Sequence, residues 1–111
     1  MRFAWAIAFI LWPWGALAGS QFGVASWYHE GALTATGEVY RAFGSEYTCA
    51  HKSLPFGTMV RVTDTSTGTS ITCRVNDRGP YISGRIIDLN GTAAKAFGLI
   101  DRGVAHVRID W

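Results

Sequence analysis

Few side chains in this 111-residue protein can move a proton or grip a ligand: 8 Asp and Glu, 3 His and 2 Cys. Asp77, in Arg74-Val75-Asn76-Asp77-Arg78-Gly79-Pro80, follows a run of strand formers and precedes a Gly-Pro turn, where a strand opens into a loop. Two roles fit that place: an exposed carboxyl doing acid–base work, or an Asp that caps the turn through its own backbone. Taken alone, Glu38 in Thr34-Ala35-Thr36-Gly37-Glu38 is a solvated loop carboxylate, and His51 between Ala50 and Lys52 is unremarkable. Cys49 and Cys73 lie 24 positions apart, with no CxxC and no histidine pair at ligand spacing, so no metal site is expected. In an exported protein they are expected to form one disulfide contributing about 3 kcal/mol, with two separate buried thiols as the alternative.

The elements that must position these groups are mostly strands. Short runs rich in Val, Ile, Thr and aromatics alternate with Gly-containing turns. Residues 23–28 form a first strand, 29–45 a long loop carrying the TATGE segment, and 47–50 a short strand. Residues 58–63 and 70–75 alternate in polarity around a Thr/Ser/Gly turn and make a hairpin, and 104–110 end the chain in a strand. The one convincing helix is Gly91 to Phe97, with Asn90 as N-cap and Gly98 as its stop. Residues 57–62 and 103–109 both run from Gly into an alternating V-R-V/I strand, a weak echo that fits a barrel of two related halves.

The apolar excess sits at the front of the chain. Residues 3–18 carry no charge and hold three of the 5 Trp. Arg2, this run and Ala16-Leu17-Ala18 read as a signal peptide over residues 1–18, cleaved before Gly19. An uncleaved anchor fits less well, because the run is broken by Pro13 and Gly15 and falls short of the ~20 residues of a spanning helix. No Cys follows the cleavage site, so no lipid anchor is expected. Residues 19–111 are then an exported domain, periplasmic or secreted and without stable membrane insertion. Its formal charge falls from +2 to +1 with the loss of Arg2, which argues against nucleic acid or an anionic membrane surface as partner.

Several segments together are more specific than any of these signals: ASWY (25–28), TATGE (34–38), AHKSLPFGT (50–58), VRVT (60–63), RVNDRGP (74–80) and RIIDLN (85–90). In that order, over residues 23–110, they resemble the rare lipoprotein A family of bacterial lytic transglycosylases. The resemblance implies a mainly β fold, a six-stranded double-psi β-barrel with one or two short helices, related to expansins and barwin-like proteins. It also implies cleavage of peptidoglycan glycan strands at the β-1,4 bond between N-acetylmuramic acid and N-acetylglucosamine, without water, leaving a 1,6-anhydro ring. That reaction needs no cofactor and no metal. The substrate's own 6-hydroxyl is the nucleophile, so one carboxyl can serve as acid toward the leaving oxygen and then as base.

By this resemblance Asp77 is the catalytic acid, with Glu38 and His51 beside it in the cleft. A general acid must keep its proton, and lifting an Asp from ~3.9 to ~6 takes about 3 kcal/mol of environmental bias. Arg74, Arg78 and Arg85 push the other way, so Glu38 is expected to supply the like charge that raises one carboxyl. Trp27, Tyr28 and Tyr81 are candidates for stacking on sugar rings, although adjacent strand residues face opposite ways and one of Trp27 and Tyr28 is expected in the core. Thr34, Arg41 and Arg78 complete the expected substrate contacts, Asp88 is expected to be structural, and the protein is expected to be a monomer. Arg41 departs from the family, which often has an acidic residue after the Tyr of G-E-x-Y. Cys49 replaces a small residue, and its bridge to Cys73 is expected to clamp the His51 and Asp77 segments together. The competing readings are a non-catalytic, expansin-like wall-loosening module and a barwin-like secreted inhibitor or effector.

Overall fold

The computed structural model describes residues 18–111, so the expected leader lies outside the described residues apart from Ala18. Six strands, β1 (Ser20–Trp27), β2 (Thr48–Ala50), β3 (Met59–Asp64), β4 (Ser70–Asp77), β5 (Arg85–Leu89) and β6 (Ala105–Asp110), close into a barrel in the order β1-β5-β2-β4-β3-β6. Two pairs are parallel, β1 with β5 and β2 with β4, and the remaining four are antiparallel. This is the double-psi barrel that the sequence motifs imply. The two echoing segments become β3 and β6, which lie side by side.

Alternation explains the barrel interior. In β3, Val60 and Val62 point inward while Met59, Arg61 and Thr63 are partly or fully exposed. Val75, Ile87, Leu89, Val107 and Ile109 add the other inward positions, each essentially inaccessible to solvent. The helix α1 (Gly91–Phe97) buries Ala93, Ala94 and Phe97 against this core. Asn90 Oδ1 accepts from Ala93 N at 3.1 Å, and Gly98 ends the helix at φ 79°, a conformation that costs glycine nothing. The same Asn90 donates from Nδ2 to the carbonyls of Arg41 and Glu46, which ties the long loop to the barrel.

Two departures from the sequence expectation bear on the site. The fourth strand continues through Asn76 to Asp77, so the acid is held by sheet pairing rather than by a loop. Strand β5 was implied only by the family resemblance. Its burial pattern lacks simple alternation because Ile86 and Ile87 are both buried in the core cluster, Ile86 against Gly23.

The β3–β4 turn is built around Asp64, which has no exposed surface. Its Oδ1 accepts from Ser66 N (2.8 Å), Ser66 Oγ (2.7 Å) and Thr67 N (3.3 Å), and its Oδ2 from Arg102 (2.7 Å). Burial alone would raise this carboxyl, but the bonds from Ser66, Arg102 and the turn amides outweigh it and hold the group well below the usual range. A depressed folded-state value contributes stability that is complete above the unfolded value of ~3.9 and is lost as pH falls below it. Urea unfolding at pH 7, 4 and 3 is therefore expected to show a steep loss toward pH 3, and Asp64→Asn is expected to be less stable at pH 7 yet to lose less between the two ends. Parallel pH dependences for the two proteins would contradict this role.

Candidate active site

Register brings two carboxyls to one face of the sheet. Ala50 in β2 pairs with Asp77 of β4 on one side and with Asp88 of β5 on the other, and Asp88 pairs with Ser26 of β1. Ser26, Asp88, Ala50 and Asp77 therefore form one row across four strands. Partners in such a row share a face, and two strand spacings separate the Asp77 and Asp88 backbones by roughly 10 Å.

Asp77 is held as an acceptor on both oxygens. Oδ1 accepts from Ala35 N at 2.9 Å and from its neighbour Arg78 N at 2.8 Å, while Oδ2 accepts from the Tyr28 hydroxyl at 2.9 Å. The 31–40 loop is thus pinned to the acid through Ala35, and Thr36 N adds a bond to the Asn76 carbonyl at 3.3 Å. Tyr28 stacks on Tyr40, with centroids 4.2 Å apart and planes 12° from parallel, and Tyr40 donates its hydroxyl to the Tyr28 carbonyl. Burial first, then the Asp77 charge, raises the Tyr28 hydroxyl, so it remains a donor across the physiological range.

Asp88 is half-buried and accepts one short hydrogen bond, 2.6 Å from Ser26 Oγ. Burial raises its carboxyl, and the Asp77 charge adds to this; the Ser26 bond and the charge of Arg85 oppose them without cancelling the rise. Asp88, expected only to be structural, thus bonds a β1 side chain within the row. It also relocates the like charge expected from Glu38.

Glu38 is engaged elsewhere. Arg74 grips it with two bonds of 2.9 and 3.0 Å and grips Glu46 with two more of 2.6 and 3.0 Å, while Asn76 Nδ2 donates to Glu38 Oε1 at 3.0 Å. The Arg74 bonds, then that of Asn76, hold Glu38 down at about 2. A carboxylate bound by a guanidinium fork stays ionised and cannot hold a proton near neutral pH. Its position is still close to the acid, since Asn76 is the residue before Asp77. Glu38, Arg41, Glu46, Asn76 and Asn90 line a cleft of about 430 Å³, which neither Asp77 nor Asp88 lines.

The His51 ring is buried and points to Gln21 rather than to an acid. Nδ1 accepts from Ser53 N and Leu54 N, both at 3.1 Å, and Nε2 lies 3.2 Å from Gln21 Oε1. With Nδ1 an acceptor, Nε2 carries the proton, and burial followed by the Arg78 charge lowers the basicity of the ring. His51 reaches the site through its backbone, donating N–H to the Asp77 carbonyl at 3.2 Å. Cys49 and Cys73 are bridged and buried, joining β2 to β4 beside this contact.

The expected substrate contacts divide. Trp27 packs partly against the core with its edge toward Phe43, and Tyr28 faces Asp77, so the pair does point opposite ways. Thr34 is 5% exposed and bonds Thr36 and the Glu38 carbonyl, which makes it a loop tie rather than an open contact. Arg41 is exposed at the cleft. Arg78 turns away from the acid, bonding the carbonyls of His51 (3.2 Å) and Leu54 (2.8 Å) with its guanidinium 3.9 Å over the Phe56 ring. Tyr81 is 76% exposed beyond the Gly79-Pro80 turn. Phe56 was not anticipated, because its neighbour Arg78 lies far along the sequence. Among the described residues no three His, Cys, Asp or Glu side chains are grouped to hold a metal ion.

Residues 20–109 match the family described as lytic transglycolase. The chain is 50% identical over 93 residues to a "Probable endolytic peptidoglycan transglycosylase RlpA" of Nostoc sp., covering 79% of this chain and 24% of that protein. It is 47% identical over 94 residues to the "Endolytic peptidoglycan transglycosylase RlpA" of Vibrio cholerae, covering 82% of this chain and 35% of that protein. It therefore spans only about a quarter to a third of these relatives. Among solved structures, Streptomyces papain inhibitor superposes with a TM-score of 0.68 at 21% identity, over 85% of this chain and 94% of that one, a likeness of fold alone. A family match over nearly all of the described barrel, with the acid-bearing RVNDRGP segment inside it, shows that the chain belongs to the lytic transglycolase family.

Proposed function

We propose that this protein cleaves peptidoglycan glycan strands at the N-acetylmuramic acid–N-acetylglucosamine β-1,4 bond, non-hydrolytically, leaving 1,6-anhydro-N-acetylmuramic acid ends. The observation that carries this reading is the carboxyl row: an Asp77 bound only by donors and, two strands away on the same face, a half-buried Asp88 whose surroundings favour its proton. Burial, with the Asp77 charge adding to it, favours the protonated form of Asp88. In the reaction Asp88 passes its proton to the glycosidic oxygen as the C1–O4 bond breaks. O6 of the same muramic residue bonds to C1 and gives its proton to Asp77 Oδ2. Afterwards the proton returns through solvent from Asp77 to Asp88, so the balance closes with neither water nor cofactor consumed.

Glu38, Arg74 and Glu46 act as a fixed polar wall rather than as proton carriers. Arg41 and Tyr81, both open to solvent, are free to contact the glycan. The buried Cys49–Cys73 bridge supports action in an oxidising compartment, the periplasm or the medium, as the expected leader would require. The test is incubation of residues 19–111 with purified sacculi and with isolated glycan strands between pH 5 and 8, followed by mass spectrometry. Products carrying anhydromuramic acid ends are expected. Binding to glycan with no anhydro product across that range would overturn the catalytic reading in favour of a wall-binding module.

A further inference from the structure

The hydrogen-bond pattern around Asp77 assigns unequal work to its two oxygens. Oδ1 takes two backbone N–H groups, from Ala35 and Arg78, at 2.9 and 2.8 Å. Those donors are fixed by the loop and by the strand end, and they occupy both in-plane lone pairs. Oδ2 takes only the Tyr28 hydroxyl, which leaves one lone pair open. Tyr28 cannot easily move away. One face of its ring is covered by Tyr40, its carbonyl is held by the Tyr40 hydroxyl, and its N–H donates to the Leu89 carbonyl at 3.1 Å. The phenol therefore approaches the carboxylate along a set direction, and the remaining lone pair of Oδ2 has a set direction too.

We propose that Tyr28 is a positioning residue that makes Oδ2 the single reacting oxygen of Asp77, and that it is not a sugar-stacking platform. This rests on the transglycosylase reading for its consequence in turnover, but not for its geometry. The titratable and charged groups facing the hydroxyl are Asp77 from β4, Asp88 from β5 and Tyr40 from the loop. Tyr40 covers one face of the ring and Asp77 takes its hydroxyl, so the parts of Tyr28 that a sugar would use are already engaged.

A pair of substitutions separates the two roles. Tyr28→Phe keeps the ring and the stack on Tyr40 and removes only the hydroxyl, whereas Tyr28→Leu removes both. If Tyr28 positions Asp77, kcat falls about tenfold or more in Tyr28→Phe with KM unchanged, and Tyr28→Leu adds little to that loss. If Tyr28 is a platform, Tyr28→Phe keeps the wild-type kcat and KM and Tyr28→Leu raises KM, which would overturn the proposal. The second readout needs no turnover. In protein labelled with ¹³C at aspartate carboxyls, the Asp77 resonance is expected to move in Tyr28→Phe while the Asp64 and Asp101 resonances stay in place. An unmoved Asp77 signal would overturn the positioning role even if the protein proved active. A moved signal in a protein that forms no anhydro product would uphold the geometry and sink the proposed reaction instead. Thermal unfolding of each variant shows whether a loss of kcat reflects a loss of fold.

Discussion

Asp77→Asn is expected to lower the release of anhydro products by about 10²–10⁴-fold, the usual worth of a positioned acid or base, while the barrel stays folded. The substitution is nearly isosteric. The amide oxygen can keep the bonds from Ala35 N and Arg78 N, so the loop and the strand end remain attached. The amide nitrogen then faces Tyr28, whose hydroxyl can turn from donor to acceptor. What disappears is an oxygen able to take the O6 proton. KM is expected to change little, because the nearly isosteric amide leaves the surrounding loop and strand in place. Sacculus digestion, compared with circular dichroism of the same preparation, checks both halves. An Asp77→Asn protein with undiminished turnover would remove Asp77 from the mechanism. Loss of turnover together with loss of fold would show instead that the carboxylate is chiefly a tie between β4 and the 31–40 loop.

Removing the Cys49–Cys73 bridge is expected to cost about 3 kcal/mol of stability, the loop-closure value for residues this far apart. A domain of this size has only ~5–15 kcal/mol in all, so the loss is a large fraction. The melting temperature is expected to fall by roughly 12–24 °C, at about 4–8 °C per kcal/mol. The site should feel the change as well. The bridge joins β2 to β4 one residue before Ala50 and four before its partner Asp77, and the β2 strand is only three residues long. Its own ladder is too short to hold the row without help. Guanidinium unfolding of the wild type with and without reductant, alongside a Cys49→Ala/Cys73→Ala protein, measures the effect. A midpoint shift equivalent to less than about 1 kcal/mol would mean that packing around the buried sulfurs, not the crosslink, carries the stability.

The sequence was most informative where neighbours along the chain are also neighbours in space. The β3–β4 hairpin follows from alternation on both sides of a Thr/Ser/Gly turn. The helix follows from Asn90 and Gly98, each acting within a few residues of its own position. Asp77 was visible because a strand run ends against Gly79-Pro80. Where the motifs matched the family as a block, they also carried the barrel, including β5, which local pattern alone did not reveal.

Long-range pairing decided the rest. The Tyr28–Asp77 bond spans 49 positions, Ser26–Asp88 spans 62, and Arg74–Glu38 spans 36. No local rule says which arginine will hold Glu38, so its ionised, clamped state could not be read from the TATGE segment. His51 was a plausible acid-binding group by type, but its ring is turned toward Gln21 by bonds that only the folded 51–54 turn supplies. Asp88 looked structural until the strand order put β2 between β4 and β5. The residue types and local turns therefore set which groups were available for acid–base work. The strand order of the closed barrel set which of them share a face, because a side chain's neighbours across a sheet come from whichever strands the topology places beside it.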